Sequence, residues 1–243
     1  MRFATMAARY SHLPSFEPSM HLFHEPHWIR QIASRMIFLW PLKAVGTMLF
    51  MLAFFWAYFG ILRNPLFPAT LMPLTVVDQW IPVTALAFPV YASLWVYASL
   101  PAALFREFRT LALFGLWMAA MCLFCLAIFW AFPTAVPPAG IDWTLYPEMA
   151  IIKDVDASGN ACPSLHVASA VFAAIWLDRV VTTICAPLVL RWAIWLHCLA
   201  ILWSTVATRQ HVVIDVVAGA VVGAVFGILG LRHALGRANL QKI

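Results

Sequence analysis

Charge is what this chain has least of. Only 10% of its 243 residues are Asp, Glu, Lys or Arg, while 64% are hydrophobic and mean hydropathy is +0.87. No soluble domain of this length is built at that polarity, so a polytopic membrane protein is implied. No polar linker interrupts the apolar sequence, so one membrane domain is expected. A clustered basic tract is missing too. The net charge of +5 comes from cations scattered around the ends of apolar runs. Membrane topology requires that distribution, and it gives no footing for a nucleic-acid partner. The five cysteines form no disulfide pattern, and Cys122 and Cys125 make a Cys-x-x-Cys inside an apolar run, where packing is expected rather than redox or metal chemistry. Residues 1–27 lack the apolar core of a secretory signal and read as a cytosolic tail. Its His21, His24, Glu25 and His27 lack the helix or hairpin that would organise a metal site. No Asp/Glu cluster suggests a metal elsewhere, so neither metal nor cofactor is expected. No internal repeat is found.

What is present is six apolar runs, roughly 42–62, 80–104, 110–132, 164–184, 192–208 and 212–231, each near the length a bilayer core demands. The fold class expected is therefore all-α, with six transmembrane helices. Pro82, Pro89 and Pro101 predict kinks in or beside the second span. Asp178 and Arg179 interrupt the fourth near its end, and Pro187 marks the turn after it. Ahead of the spans, Trp28, Ile29, Ile32, Met36, Ile37 and Trp40 recur at helical spacing, with Arg30 and Arg35 off that stripe. This predicts an amphipathic helix lying in the interface. The organisation expected is a tail and interfacial helix over 1–41, a six-span domain over 42–233 and a C-terminal tail over 234–243. Of the 15 Lys and Arg, all but Arg63, Lys153 and Arg209 fall on the side of the N-terminus. The positive-inside rule then places both termini in the cytosol, as an even number of spans requires.

Two polar motifs interrupt the apolar pattern. Cys162-Pro163-Ser164-Leu165-His166 opens the fourth span, and Thr208-Arg209-Gln210-His211, followed by Asp215, opens the sixth. With the fifth span returning between them, both lie on the non-cytosolic side. Ionisable groups at a membrane span are costly and are functional candidates by default. Asp215 lies four residues after His211, so on one helix the two share a face. A carboxylate accepting from one imidazole nitrogen leaves the other oriented and nucleophilic, able to attack phosphorus. His166, once protonated, can give its proton to the departing alkoxide and then deprotonate the attacking water or alcohol. Pro163 suits a first helical position. The N–H groups of Ser164, Leu165 and His166 would then form an anion site, to which the Ser164 hydroxyl adds a donor. Arg209 offers a fork matched to phosphate, and Lys153, in the loop 133–163, is a second cation. Each motif alone also has an ordinary structural reading as a helix cap or a hydrogen-bonded interface residue. Their meeting at one face favours the chemical one.

Pro163-Ser164-Leu165-His166-Val167-Ala168 and Thr208-Arg209-Gln210-His211 with Asp215 through Gly219 resemble the type 2 phosphatidic acid phosphatase superfamily. The resemblance covers roughly residues 75–231. Pro-Ser-Leu-His and Asn160 resemble most closely its inositol phosphorylceramide synthase-like branch. The resemblance implies His211 as nucleophile, Asp215 as its orienting partner, His166 as general acid and Ser164 as a phosphate ligand. It also implies a lipid phosphate or phospholipid substrate. The sequence departs from the superfamily in two places. Ser204 fits the last motif, but Thr205 stands where an Arg is expected. The first motif is not recognisable, and Phe132 through Pro138 lies in its region, followed by Ala139. The expected activity is a metal-independent lipid phosphate phosphatase working through a phosphohistidine, facing the periplasm, exterior or a secretory lumen. Head-group transfer to an acceptor such as a ceramide is the alternative. A proton-coupled transporter or channel is the non-enzymatic one, disfavoured because the polar residues gather at one face instead of mid-bilayer.

Overall fold

The computed structural model describes residues 27–141 and 159–237, and Lys153, His21, His24 and Glu25 lie outside them. The described residues are almost entirely helical. In chain order they form α1 (His27–Ile37), α2 (Trp40–Arg63), α3 (Val76–Trp80), α4 (Ala87–Ala92), α5 (Leu94–Leu104), α6 (Phe108–Ala131), α7 (Leu165–Thr183), α8 (Leu188–Ala207) and α9 (Val213–Arg237). Six helices, with α4 and α5 counted as one, are long and apolar enough to cross a membrane. The chain is an all-α polytopic protein. The remaining regular structure is a two-residue parallel pair, β1 (Thr70–Leu71) against β2 (Thr134–Ala135), extended by a bridge from Ala135 to Gly159.

α7 is the axis of the bundle. Its hydrophobic window is 72% buried, against 0% for α2. Ala168, Ala170, Ala173 and Ala174 are all fully buried and let neighbouring backbones come close. α9 is its most extensive partner. The contact is made by glycines at every fourth residue. A Cβ added at Gly219 would meet the Ser164 carbonyl oxygen at 2.3 Å, and one at Gly223 the Ala168 carbonyl oxygen at 2.3 Å. Gly227 repeats the pattern against Ile175 and Phe172. This is small-xxx-small packing, in which hydrogen side chains let two helix backbones approach. It joins the helices that carry the two polar motifs.

Several boundaries differ from the expectation, each for a local reason. The second span begins at Ala87, not near 80. Pro82 drives the residue before it out of helical geometry. Ile81 accordingly has φ −85° and ψ 110° and closes the short helix α3 at Trp80. The span then breaks at Ser93, whose hydroxyl donates to the Val90 carbonyl (2.6 Å) and also contacts His197 Nε2 (2.9 Å). α7 is not interrupted at Asp178 and Arg179. Asp178 instead takes a two-pronged bond from Arg191 of α8 (2.7 and 3.1 Å). α9 runs on to Arg237, past the expected domain edge.

α1 forms ahead of the spans where an amphipathic helix was expected, and its last turn adds a detail. Arg35 is not turned outward but buried, donating to the Leu104 carbonyl at 3.3 Å, while Met36 and Ile37 are exposed. Lys43 of α2 joins it, donating to the Arg35 carbonyl (2.7 Å) and to the Ala103 carbonyl (2.8 Å). The last carbonyls of α5 have no helical partner, and cations are favourable at a helix C-terminus. Two cations thus close the end of α5 opposite the motifs.

Candidate active site

The loop from α8 to α9 is built by backbone rules before any chemistry enters. α8 ends in a Schellman motif. The Gln210 N–H donates to the Thr205 carbonyl (3.0 Å) and the Arg209 N–H to the Val206 carbonyl (2.9 Å). Arg209 sits at the left-handed position, with φ 55°. That conformation costs a non-glycine residue on the order of 1–2 kcal/mol. The guanidinium offsets it by donating to the carbonyls of Asp78 (2.8 Å) and Ile81 (3.0 Å). Arg209 therefore straps the α3 segment to the loop, and its fork, expected to face phosphate, is anchored on backbone oxygens.

His211 follows this turn. It does not begin a helix, as expected, but lies two residues before α9, in the extended link. Asp215 reaches back from the third helical position to accept the Val212 N–H at 3.0 Å, the reach-back half of a capping box. A second carboxylate caps the next N–H: Asp78 Oδ1 accepts from Val213 at 2.8 Å. Asp78 and Asp215 are 1% and 0% exposed. Two carboxylates at one helix N-terminus oppose its positive end.

The imidazole of His211 turns Nδ1 toward Asp215 Oδ2, at 3.6 Å. That is ion-pair range and too long for a hydrogen bond. Among the described residues, neither His211 Nδ1 nor Asp215 Oδ1 has a hydrogen-bond partner. Leaving such atoms buried and unpaired costs about 1–3 kcal/mol each, so a small movement that closes the gap is favourable. With Nδ1 directed at the carboxylate, Nε2 is the nitrogen left for a substrate.

The first motif meets the second through its backbone: the Ser164 N–H donates to the Asp215 carbonyl at 3.0 Å. Here Pro163 departs from its expected place. α7 starts at Leu165, Ser164 is the N-cap whose side chain accepts from Val167 N–H (3.3 Å), and Pro163 precedes it after a cis peptide bond. Of the three N–H groups expected to face an anion, that of Ser164 is thus engaged. Leu165 is buried as the first helical residue. His166, the second, stacks on Tyr91 (ring centroids 4.0 Å apart, 11° between planes) with Trp95 edge-on at 6.3 Å. Its Nε2 lies 3.1 Å from the Tyr91 carbonyl oxygen. A carbonyl only accepts, so Nε2 carries the hydrogen and Nδ1 remains for chemistry. His166 and His211 are near enough to act electrostatically on each other.

Cys162 faces the Asp215 carboxylate. Burial first, and the Asp215 charge second, push its thiol up to about 11, so it stays a protonated donor. The segment without a cation, Phe132 through Pro138, is a structural clamp on this loop. Thr134 Oγ1 accepts the Cys162 N–H (2.9 Å) and the Thr134 carbonyl the Ala161 N–H (3.2 Å). Asn160, at φ 50°, places its amide 3.4 Å from the Tyr58 carbonyl. Ser204 and Thr205 are buried, their hydroxyls turned back onto the carbonyls of Ile201 and Leu202. Among the described residues no three His, Cys, Asp or Glu side chains are grouped to hold a metal ion.

The structure thus gathers Ser164, Leu165, His166, Arg209, His211 and Asp215 at one end of the bundle. Sequence reasoning missed Asp78, Tyr91, Trp95 and the thiol of Cys162. A signal existed for Asp78, because Thr75-x-x-Asp78 is a capping-box pattern and forms one here. Tyr91 and Trp95 carry no local signal, since they read as ordinary span residues. Comparison with curated proteins and with solved structures finds no match. A family model described as the PAP2 superfamily matches residues 67–229, which contain every described residue of this site. Members of that superfamily are generally phosphatases or phosphotransferases, and this chain belongs to it.

Proposed function

We propose that the protein is a lipid phosphate phosphatase that works through a phosphohistidine without a metal ion. The observation carrying this reading is the join between the motifs. A His–Asp pair sits against the N-terminus of the helix that bears a second, stacked histidine, with Ser164 N–H on the Asp215 carbonyl. In the first step His211 Nε2 attacks phosphorus and the bond to the lipid oxygen breaks. His166 gives that oxygen its proton from Nδ1, while Asp215 accepts from Nδ1–H of His211. In the second step water attacks the phosphohistidine and gives its proton to His166. Phosphate leaves, and both histidines return to their starting state. The Tyr91 carbonyl holds the His166 ring through both steps, because its Nε2–H bond exists in either protonation state. Ser164, Leu165, Arg209 and Lys153 are the proposed phosphate contacts, with Arg209 rigid because its carbonyl bonds fix it. By the distribution of cations both termini face the cytosol and the site opens on the other side. Pro163-Ser164-Leu165-His166 favours a second reading, transfer of the phosphoryl-bearing head group to a lipid alcohol as in the inositol phosphorylceramide synthase-like branch.

The test is phosphate release by purified protein from phosphatidate, a prenyl diphosphate and a sphingoid phosphate, with EDTA present. Wild type should release phosphate, and His211→Ala should lose at least about 10⁴-fold. His166→Ala should lose about 10²–10⁴-fold on lipid substrates but far less on an activated aryl phosphate, whose leaving group needs no proton. Full activity of His211→Ala, or activity abolished by EDTA and restored by Mg²⁺, refutes the mechanism. No release from any substrate, with transfer from a phospholipid to ceramide or diacylglycerol, selects the second reading.

A further inference from the structure

Beneath the histidines lies a cavity of about 360 Å³ between α2, α5 and α6. Its upper wall contains Phe54, Trp95 and Ser169. Trp95 is the ring that stands edge-on to His166, and Ser169 lies one turn below His166 on α7. Its floor is Lys43, whose amine is bonded to the Arg35 and Ala103 carbonyls. Only the methylene stem of that lysine is therefore left to meet an apolar guest. Two glycines keep the space open: a Cβ at Gly46 or at Gly115 would meet nothing within 4 Å, and both line the cavity.

We propose that this cavity takes a linear alkyl chain of the substrate and measures its length, at about twelve carbons. The inference rests on the phosphatase reading for the identity of the site above it. Length sets the count. From Lys43 to Phe54 the wall rises eleven residues, about 16 Å. An extended chain of twelve carbons, at the reach per bond of an extended backbone, spans about 14 Å. The occupant is a lipid chain, not a protein segment, because the wall is continuous with His166 through Trp95 and runs down to the Lys43 stem.

Single-chain alkyl phosphates of 6 to 16 carbons test this, with a diazirine-bearing alkyl phosphate crosslinked in parallel to His211→Ala protein. For wild type, kcat/KM should climb about three- to fourfold per methylene up to about twelve carbons and then level off. Gly115 is midway along the stretch of α6 that lines the cavity, residues 108–122. Gly115→Leu should move the plateau to about six carbons while changing the six-carbon rate less than twofold. Gly46→Leu, one turn above the floor, should move it to about ten. The photoprobe should label residues of α2, α5 or α6 that face the cavity. Labelling there without turnover of any member supports the cavity and removes the hydrolytic reading. A length profile that is the same in wild type and Gly115→Leu, or labelling confined to other surfaces, overturns the proposal and leaves hydrolysis standing.

Discussion

Asp78 is the residue whose loss should reveal how the site is held. Its carboxylate accepts three bonds: Oδ2 from the Thr75 N–H and hydroxyl (both 2.7 Å), and Oδ1 from the Val213 N–H (2.8 Å). The group is 1% exposed, so water cannot replace it. A hydrogen bond to a charged group contributes about 1.5–3 kcal/mol, and a buried donor left unpaired costs about 1–3 kcal/mol. Asp78→Asn keeps the shape but turns an amide N–H onto a donor, so one bond is lost and another is repelled, about 2–4 kcal/mol in all. Asp78→Ala orphans every donor and should cost about 3–5 kcal/mol. For a chain of this size each kcal/mol moves the melting temperature by about 2–4 °C. Thermal unfolding in detergent should therefore fall by about 4–16 °C for Asp78→Asn and further for Asp78→Ala. The amide of Val213 should lose hydrogen-exchange protection in both. Val213 N–H is two residues from His211, so kcat should fall more than KM rises. A melting temperature within 1 °C of wild type, with Val213 still protected, would refute the claim that this carboxylate anchors the loop.

Two further outcomes follow from the packing and the thiol. Gly223→Ala places a methyl 2.3 Å from the Ala168 carbonyl oxygen, a backbone atom that cannot move alone. It should lower the melting temperature, whereas Gly236→Ala, which meets nothing within 4 Å, should not; equal effects would refute the close-packing reading. The second outcome concerns Cys162, lifted from 9.0 to about 11 by burial and the Asp215 charge. A raised pKa lowers the thiolate fraction below it, so at pH 7 maleimide should react about 100-fold more slowly than with an unshifted thiol. The rate should rise about tenfold per pH unit up to about pH 11, and fast labelling at neutral pH would refute the environment assigned to Cys162.

The spans were legible because apolarity over about twenty residues leaves the backbone no option but a helix. The alternation of sides then fixed that His166 and His211 share an end, and they do. Three kinds of information were not legible. One is the edge set by a single backbone restraint, as at Ile81, where Pro82 outweighs the apolar residues around it. Another is the partner that comes from far along the chain. Thr75-x-x-Asp78 announces a local cap, yet nothing local says that its other oxygen serves Val213. Tyr91 likewise meets His166 only because α4 ends where α7 begins. The third is competition for one group. Arg209 has the right chemistry for phosphate, and nothing local says that its guanidinium also has a structural task. Its left-handed backbone and the carbonyls of α3 compete for the same guanidinium. In this site a single device does two tasks repeatedly: Asp215 caps α9 and faces His211, Ser164 caps α7 and ties it to Asp215, and Arg209 turns the chain and straps α3. A membrane interior supplies few polar groups, and each unsatisfied one costs several kcal/mol. The groups that hold the loop are therefore the same ones that face the histidines, and a mutation at either task should be read out in both stability and turnover.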